Sequence, residues 1–291
     1  MYYLIKLLRP QQWVKNLFVF LPLFFGGRIL DGGAWSSSIQ AFVSLCFAAS
    51  GIYCLNDIVD LDEDRQHPHK RLRPLASGAI SKQTAYLIMT ACFFFSIVVL
   101  IPHGINWVLF ATIITYILLQ VSYCLWLKKT PIVDLICIAF GFVLRVVAGG
   151  VSSGIWVSEW IVMMTFMLTL FLATSKRRFD IILKNKNDLT TRSSIEGYSI
   201  EFLNIVVGII ASITIVCYIM YTVSPSVTNR IGSNYLYITS FFVIASILRY
   251  IQQSVIKPDE GSDPTHILLH DHFIQLNLLL WMISFVIILY F

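Results

Sequence analysis

Charged side chains are scarce in this sequence. They make up 13% of its 291 residues, whereas hydrophobic residues account for 57% and the mean hydropathy is +0.76. A soluble domain carries charge on about a quarter of its residues. The composition therefore excludes an ordinary soluble globular protein and indicates a chain that lies mostly in lipid.

Paired cysteine motifs and a cleavable leader are also lacking. The six cysteines have no CxxC spacing, so neither a disulfide framework nor a zinc site is supported. The first apolar run follows Arg9-Pro10 and does not end at a small-residue cleavage site, so we expect it to remain as a helix. Without a long linker or a low-complexity tract, the chain is predicted to be a single membrane domain, residues 1–291.

Long apolar segments fill most of the sequence, and each is close to the roughly 20 residues that span a bilayer. They predict an all-α, multi-pass integral membrane protein with about nine transmembrane helices. The predicted segments are residues 15–30, 35–55, 83–101, 105–127, 131–149, 156–175, 199–222, 234–254 and 273–291.

The basic residues then predict an orientation. With the N-terminus in the cytoplasm, 18 of the 21 Lys and Arg residues fall on the inner side, as the positive-inside rule requires. Arg28 and Arg230 fall outside, and Arg145 lies within a span. We therefore expect an inner (plasma) membrane protein whose function lies at its cytoplasmic face. The polar residues there collect in three loops, at residues 56–82, 176–198 and 255–272.

One short stretch, from Asn56 to Arg65, carries four Asp and one Glu directly after an apolar run. If the preceding helix continues, Asn56, Asp60 and Asp64 fall near one face at positions i, i+4 and i+8. Oxygen ligands of this kind suit Mg²⁺, which binds through one or two carboxylates and completes its shell with water and substrate phosphate. The basic residues that follow suit that phosphate. The alternative is a solvated acidic helix end, which is costly near a bilayer.

These residues resemble a known motif. The pattern Asn56-Asp57-x-x-Asp60-x-x-x-Asp64-Arg65, followed by Arg73-Pro74-x-x-x-Gly78, is similar to the first aspartate-rich motif of the UbiA superfamily of intramembrane prenyltransferases. The resemblance implies a UbiA-like helical bundle and a catalytic Mg²⁺ held by Asn56, Asp60 and Asp64. It leaves Asp57 as a further contact or as a partner for a nearby base.

A second aspartate motif, which most members place after the sixth helix, is missing. The sequence there is Lys176-Arg177-Arg178-Phe179-Asp180. Lys and Arg bind phosphate oxygens directly, so this change favours substrates that carry more phosphate. The rest of the chain resembles the branch that transfers phosphoribosyl from phosphoribosyl diphosphate to a polyprenyl phosphate. That second resemblance rests on Arg9-Pro10-x-Gln12-Trp13-x-Lys15-Asn16, on Tyr123-x-x-x-x-Lys128 and on Asp134.

The resemblance to this branch implies Mg²⁺-assisted loss of diphosphate and a polyprenyl-phosphoryl ribose 5-phosphate product for cell-envelope polysaccharide synthesis. Most of the cations concerned would lie on the inner side under the positive-inside bias alone. Asp134 could instead meet ribose hydroxyls, metal-bound water or Lys128, and Tyr123 could belong to an aromatic belt. The residues expected to bind substrate are Lys15, Asp57, Lys70, Arg73, Tyr123, Lys128, Asp134, Lys176 and Arg178.

Two other functions stay open. The nearer is a prenyltransferase that uses an isoprenyl diphosphate and an aromatic or lipid acceptor, although the missing second motif counts against it. The other is a transporter, which would show inverted repeats and spans broken at the midplane; no convincing internal repeat is present. The net charge of +5 is accounted for by inner loops that meet phosphate and anionic lipid, so no nucleic acid is expected, and the sequence leaves a homo-oligomer open.

Overall fold

The structure, a computed structural model, describes residues 2–66, 70–101, 106–187, 197–256, 267 and 270–290. These residues form helices and no β-strand, which confirms the all-α prediction. The α-helices are α1 (Tyr2–Leu8), α2 (Leu21–Phe25), α3 (Gly32–Val59), α4 (Leu61–Gln66), α5 (Lys82–Val98), α6 (Trp107–Leu125), α7 (Val133–Ser153), α8 (Glu159–Asn187), α9 (Ile200–Val223), α10 (Pro225–Ile231), α11 (Ser240–Ile256) and α12 (His272–Tyr290). Short 3-10 helices cover Pro10–Phe20, Lys70–Leu72, Leu127–Lys129 and Tyr235–Thr239.

Seven helical stretches of the described chain are long and apolar enough to cross a membrane, so the chain is an integral membrane protein. Another apolar helix, α5, has 17 residues and is shorter than the rest. The predicted count of nine is not confirmed. The seven stretches are Gly32–Val59, Trp107–Leu125, Val133–Ser153, Glu159–Leu183, Ile200–Val223, Tyr235–Ile256 and His272–Leu289.

The first predicted span, residues 15–30, is not a continuous helix. A 3-10 helix over Pro10–Phe20 is followed by the five-residue α2, and a turn with Gly27 at φ 69° comes after it. Pro22 has no N–H to donate to the preceding turn. The apolar composition of this segment therefore predicted a helix but not where that helix is interrupted.

The contacts divide the chain into two compact units, Met1–Val157 and Ser158–Phe291. In the first unit, α3 packs against α5, α6 and α7 around a core that includes Leu45, Ile113 and Tyr116. In the second unit, α8 packs against α9, and the core includes Phe171 and Tyr250. The single domain expected from the sequence stays a prediction.

The 3-10 helix approaches α7 closely in the first unit. A Cβ added to Gly149 would lie 1.9 Å from the carbonyl oxygen of Val19, a separation that no side chain tolerates. Glycine is thus required at this position for the backbone of the 3-10 helix to reach α7. This contact fixes the segment that carries Lys15 and Asn16 against the unit.

Candidate active site

The acidic stretch lies where α3 ends and α4 begins. The Asp60 N–H donates to the Asn56 carbonyl at 2.9 Å, and the Asp64 N–H donates to the Asp60 carbonyl at 2.8 Å. The i to i−4 hydrogen bonding therefore continues across the junction, although Asp60 itself leaves the helical region at φ −89°, ψ 9°. The helical spacing assumed for Asn56, Asp60 and Asp64 is retained.

Two arginines neutralise the buried carboxylates of this stretch. Arg73 donates to Asp64 Oδ2 at 2.5 Å and to Asp57 Oδ1 at 3.3 Å, and Arg9 forms a second ion pair with Asp57 Oδ1. The side chains of Asp57 and Asp64 are only 2% and 3% exposed. Buried charges persist when they are paired and hydrogen-bonded, so these contacts account for two carboxylates that water cannot reach.

A lysine from another part of the first unit reaches the same stretch. Lys128, in the 3-10 turn that follows α6, forms an ion pair with Asp60 Oδ1. Cys124 of α6 lies one turn earlier, and its thiol is 3.9 Å from Asn56 Oδ1. The end of α6 therefore supplies both a cation and a weak donor to the residues predicted to bind a metal.

The chemistry of these side chains fits Mg²⁺. Asn56, Asp60 and Asp64 offer an amide oxygen and two carboxylates. No three His, Cys, Asp or Glu side chains of the described chain form a metal cluster, so a metal here would also need ligands from water and substrate. Mg²⁺ commonly takes one or two carboxylates and fills its remaining positions with water and substrate phosphate oxygens. In addition, Asp57 Oδ2 is buried without a hydrogen-bond partner among the described residues, so the site retains acceptor capacity.

Four other residues predicted to bind substrate also belong to the first unit. Lys15 lies on the 3-10 helix Pro10–Phe20, Lys70 in the turn Lys70–Leu72, Tyr123 near the end of α6, and Asp134 in the first turn of α7. Asp134 is fully buried. Their roles stay predictions.

The basic motif of the second unit lies on α8. Lys176 is exposed, whereas Arg177 and Arg178 are buried. Arg178 donates to Asn204 Oδ1 at 2.6 Å and to the Ser254 carbonyl at 2.9 Å, and so ties α8 to α9 and α11. Arg177 lies 3.4 Å from Asp180. The prediction that Lys176 and Arg178 bind phosphate is not tested by these contacts.

Sequence reasoning gave no role to Arg9, although it begins one of the motifs. Its ion pair joins residues 48 positions apart, and neither composition nor spacing indicates such a contact. Arg145, which lies within a span, donates to Asn16 Oδ1, the Gly141 carbonyl and the Tyr116 hydroxyl at 2.7–2.8 Å. None of the described carboxylates is paired with Arg145.

The comparisons with known proteins identify the class. A model of the UbiA prenyltransferase family matches residues 19–275, and the chain belongs to this family. A UbiA homolog from Archaeoglobus fulgidus, solved with bound GPP and Mg²⁺, has a TM-score of 0.73 at 21% identity and covers 99% of this chain and 100% of its own. The UbiA-like helical bundle predicted from the motif is therefore confirmed.

Two curated relatives are more similar in sequence. The decaprenyl-phosphate phosphoribosyltransferase of Corynebacterium glutamicum is 32% identical over 99% of this chain and 86% of its own length. The enzyme of that name from Mycobacterium tuberculosis strain H37Rv is 31% identical over 95% of this chain and 91% of its own.

Proposed function

We propose that this protein transfers the 5-phosphoribosyl group of phosphoribosyl diphosphate to a polyprenyl phosphate of the decaprenyl type. The observation that carries the proposal is the 32% identity to a decaprenyl-phosphate phosphoribosyltransferase over 99% of the chain. The charge pattern supports it, because an acidic motif in the first unit is accompanied by a basic motif, Lys176 to Arg178, in the second. The product is a polyprenyl-phosphoryl ribose 5-phosphate, used for cell-envelope polysaccharide.

In this reaction the bond from the anomeric carbon to the diphosphate oxygen breaks, and a bond to an oxygen of the lipid phosphate forms. Asn56, Asp60 and Asp64 are assigned to hold Mg²⁺, which when bound stabilises the negative charge of the departing diphosphate. The acceptor phosphate is already an anion near neutral pH, so no protein base is needed.

The remaining residues bind and orient the substrates. Arg73 and Lys128 pair with Asp64 and Asp60, and the same cations suit the diphosphate oxygens. Lys15, Lys70, Tyr123, Lys176 and Arg178 are proposed to bind phosphate, Asp134 to accept from ribose hydroxyls, and Asp57 to hold the neighbouring arginines. The protein lies in the plasma membrane with its N-terminus in the cytoplasm, where the soluble donor is found.

A transfer assay tests the proposal. Purified protein in detergent is given phosphoribosyl diphosphate labelled in the ribose, together with Mg²⁺ and decaprenyl phosphate, and the lipid phase is extracted and counted. Label in the lipid phase is expected; Asp60→Asn serves as the inactive control.

A prenyltransferase activity is the second outcome of this assay. Digeranylgeranylglyceryl phosphate synthase of Sulfolobus acidocaldarius is 26% identical over 82% of this chain, so the assay is repeated with a labelled isoprenyl diphosphate. Transfer from the isoprenyl donor, with none from phosphoribosyl diphosphate, overturns the proposal.

A further inference from the structure

Arg9 lies at the junction between α1 and the 3-10 helix, in an unusual conformation. Its backbone is left-handed, at φ 49°, ψ 58°, a region that L-residues seldom occupy. The next residue is Pro10, which further restricts the backbone of Arg9. Such outliers persist when their surroundings hold them in place, and the side-chain contacts of Arg9 identify what does so here.

The Arg9 side chain is directed at one carboxylate. Its guanidinium forms the ion pair with Asp57 Oδ1 and lies 5.2 Å from the ring centre of Tyr53, one helical turn before Asp57 on α3. The side chain is 19% exposed, so Arg9 is mostly covered and held on two sides. Arg9 therefore binds a side chain of the protein, not a substrate.

Arg73 is shared between Asp57 and Asp64. It contacts Asp57 at 3.3 Å and Asp64 at 2.5 Å through the same nitrogen, Nη1. Asp57 is 2% exposed, and its Oδ2 has no hydrogen-bond partner among the described residues. Without Arg9, this buried carboxylate would depend on Arg73 for its neutralisation, and a buried unpaired charge is strongly unfavourable.

We infer that Arg9 is a positioning residue for donor binding: it neutralises Asp57 and thereby leaves Arg73 available to the diphosphate. The inference rests on the proposed function insofar as Arg73 binds the diphosphate of the donor. Removing Arg9 makes Asp57 compete with that diphosphate for the Arg73 guanidinium. The expected defect is therefore in donor affinity, and it depends on the charge of Asp57.

A double-mutant cycle tests this dependence. Arg9→Met, Asp57→Asn and the double variant are purified, and KM for phosphoribosyl diphosphate and kcat are measured for each in the transfer assay. Arg9→Met is expected to raise KM about tenfold with a smaller change in kcat, since it leaves a buried charge to compete for Arg73. In the Asp57→Asn background the same change is expected to raise KM less than about threefold, because no charge remains to compensate. Arg9→Lys keeps the charge, so its KM for phosphoribosyl diphosphate should lie between those of wild type and Arg9→Met.

The control is Lys82→Met, which removes an exposed cation at the start of α5; its kinetics should match wild type. An equal rise in KM in both backgrounds, or none from Arg9→Met, overturns the inference. Arg9→Met could fail to fold. In that case the inference is supported if the double variant folds and Arg9→Lys has a raised KM for phosphoribosyl diphosphate. It is overturned if neither variant that carries Arg9→Met folds. If the wild-type protein uses an isoprenyl diphosphate instead, the proposed function is wrong but the inference about Arg9 is still testable. KM for the isoprenyl diphosphate is then measured for the same variants.

Discussion

The arginines of the two proposed substrate-binding regions have different partners. In the first unit, Arg9 and Arg73 pair with the buried carboxylates Asp57 and Asp64. In the second unit, Arg178 donates to neutral oxygens, an amide and a backbone carbonyl. The first arrangement includes residues proposed to bind metal and phosphate, whereas Arg178 joins three helices. The two regions are therefore expected to respond differently to mutation, the first through turnover and the second through stability.

The largest expected effect is in the acidic region. Asp60→Asn and Asp64→Asn each remove a proposed Mg²⁺ ligand and should lower transfer by about a hundredfold or more. Asp60→Asn should unfold near the temperature of wild type, because Asp60 and Lys128 are partly exposed. Asp64→Asn should still fold, because asparagine keeps the size and Arg73 keeps its contact with Asp57. Turnover and thermal unfolding in detergent measure the two effects.

The matched control for these variants is Asp62→Asn. Asp62 lies in the same stretch, but its side chain is 91% exposed, so its replacement should leave turnover unchanged. Full activity in both Asp60→Asn and Asp64→Asn would show that the metal assignment is wrong and that the two regions do not differ as described.

How far the sequence predicts this site depends on the distance along the chain. The helical period predicts that Asn56, Asp60 and Asp64 lie near one face, and the backbone has the hydrogen bonds which that spacing requires, because all three residues lie within nine positions of one another. Lys128 and Asp60 are 68 residues apart, and their pairing depends on how α6 packs against α3. No local pattern encodes that packing.

The fold was likewise predictable from the sequence only where local composition determines it. Hydropathy predicted the helical membrane class, because a span must satisfy its own backbone hydrogen bonds. It failed for the segment 15–30, where Pro22 and Gly27, at φ 69°, change the backbone without changing the hydropathy. The close approach of Val19 to α7 was likewise not predictable, since one glycine in an apolar run does not reveal what packs on it.

Helix packing gives the next comparison between the units. Gly149→Ala in the first unit would place a methyl group 1.9 Å from the Val19 carbonyl oxygen. The backbone must move, and we expect a loss of about 3 kcal/mol of stability. Gly208→Ala on α9 meets nothing within 4 Å and should be neutral or stabilising by up to about 1 kcal/mol. Thermal unfolding of both variants in detergent measures the difference, and equal effects would contradict the required close approach.

Arg178→Met tests the neutral arrangement of the second unit. It removes the donor to Asn204 Oδ1 and to the carbonyl of Ser254. Asn204 is exposed and water can replace the lost donor, but Ser254 is buried, and leaving a buried acceptor unsatisfied should cost about 1–3 kcal/mol of stability. Lys176→Met, two residues earlier on the exposed side of α8, is the control and should leave the unfolding temperature unchanged. Donor binding is measured on the same variant, because Arg178 is also proposed to bind phosphate. A normal unfolding temperature would show that the hydrogen bonds of Arg178 do not stabilise the second unit.

The smallest effect is expected at the ion pair between Arg249 and Asp271 of the second unit. Asp271 accepts from Arg249 and from the Ile274 N–H, each at 3.0 Å. Burial raises the pKa of Asp271, but these hydrogen bonds outweigh it, so the pKa lies below its usual value. The stabilisation is therefore present at neutral pH and is lost as the pH falls through that lowered pKa.

Asp271→Asn removes the charge but keeps the helix cap, because asparagine caps a helix as well as aspartate does. We expect a loss of less than about 1 kcal/mol at neutral pH, since the Arg249 side chain is one-third exposed and water weakens such pairs. The difference from wild type should begin to shrink as the pH falls below about 4, where Asp271 of the unfolded protein is protonated, and should vanish once the pH is also below the lowered pKa of Asp271 in the folded protein. A difference that persists in acid would mean that Asp271 contributes by its shape and not by its charge, and the Arg249–Asp271 ion pair would then not stabilise the second unit.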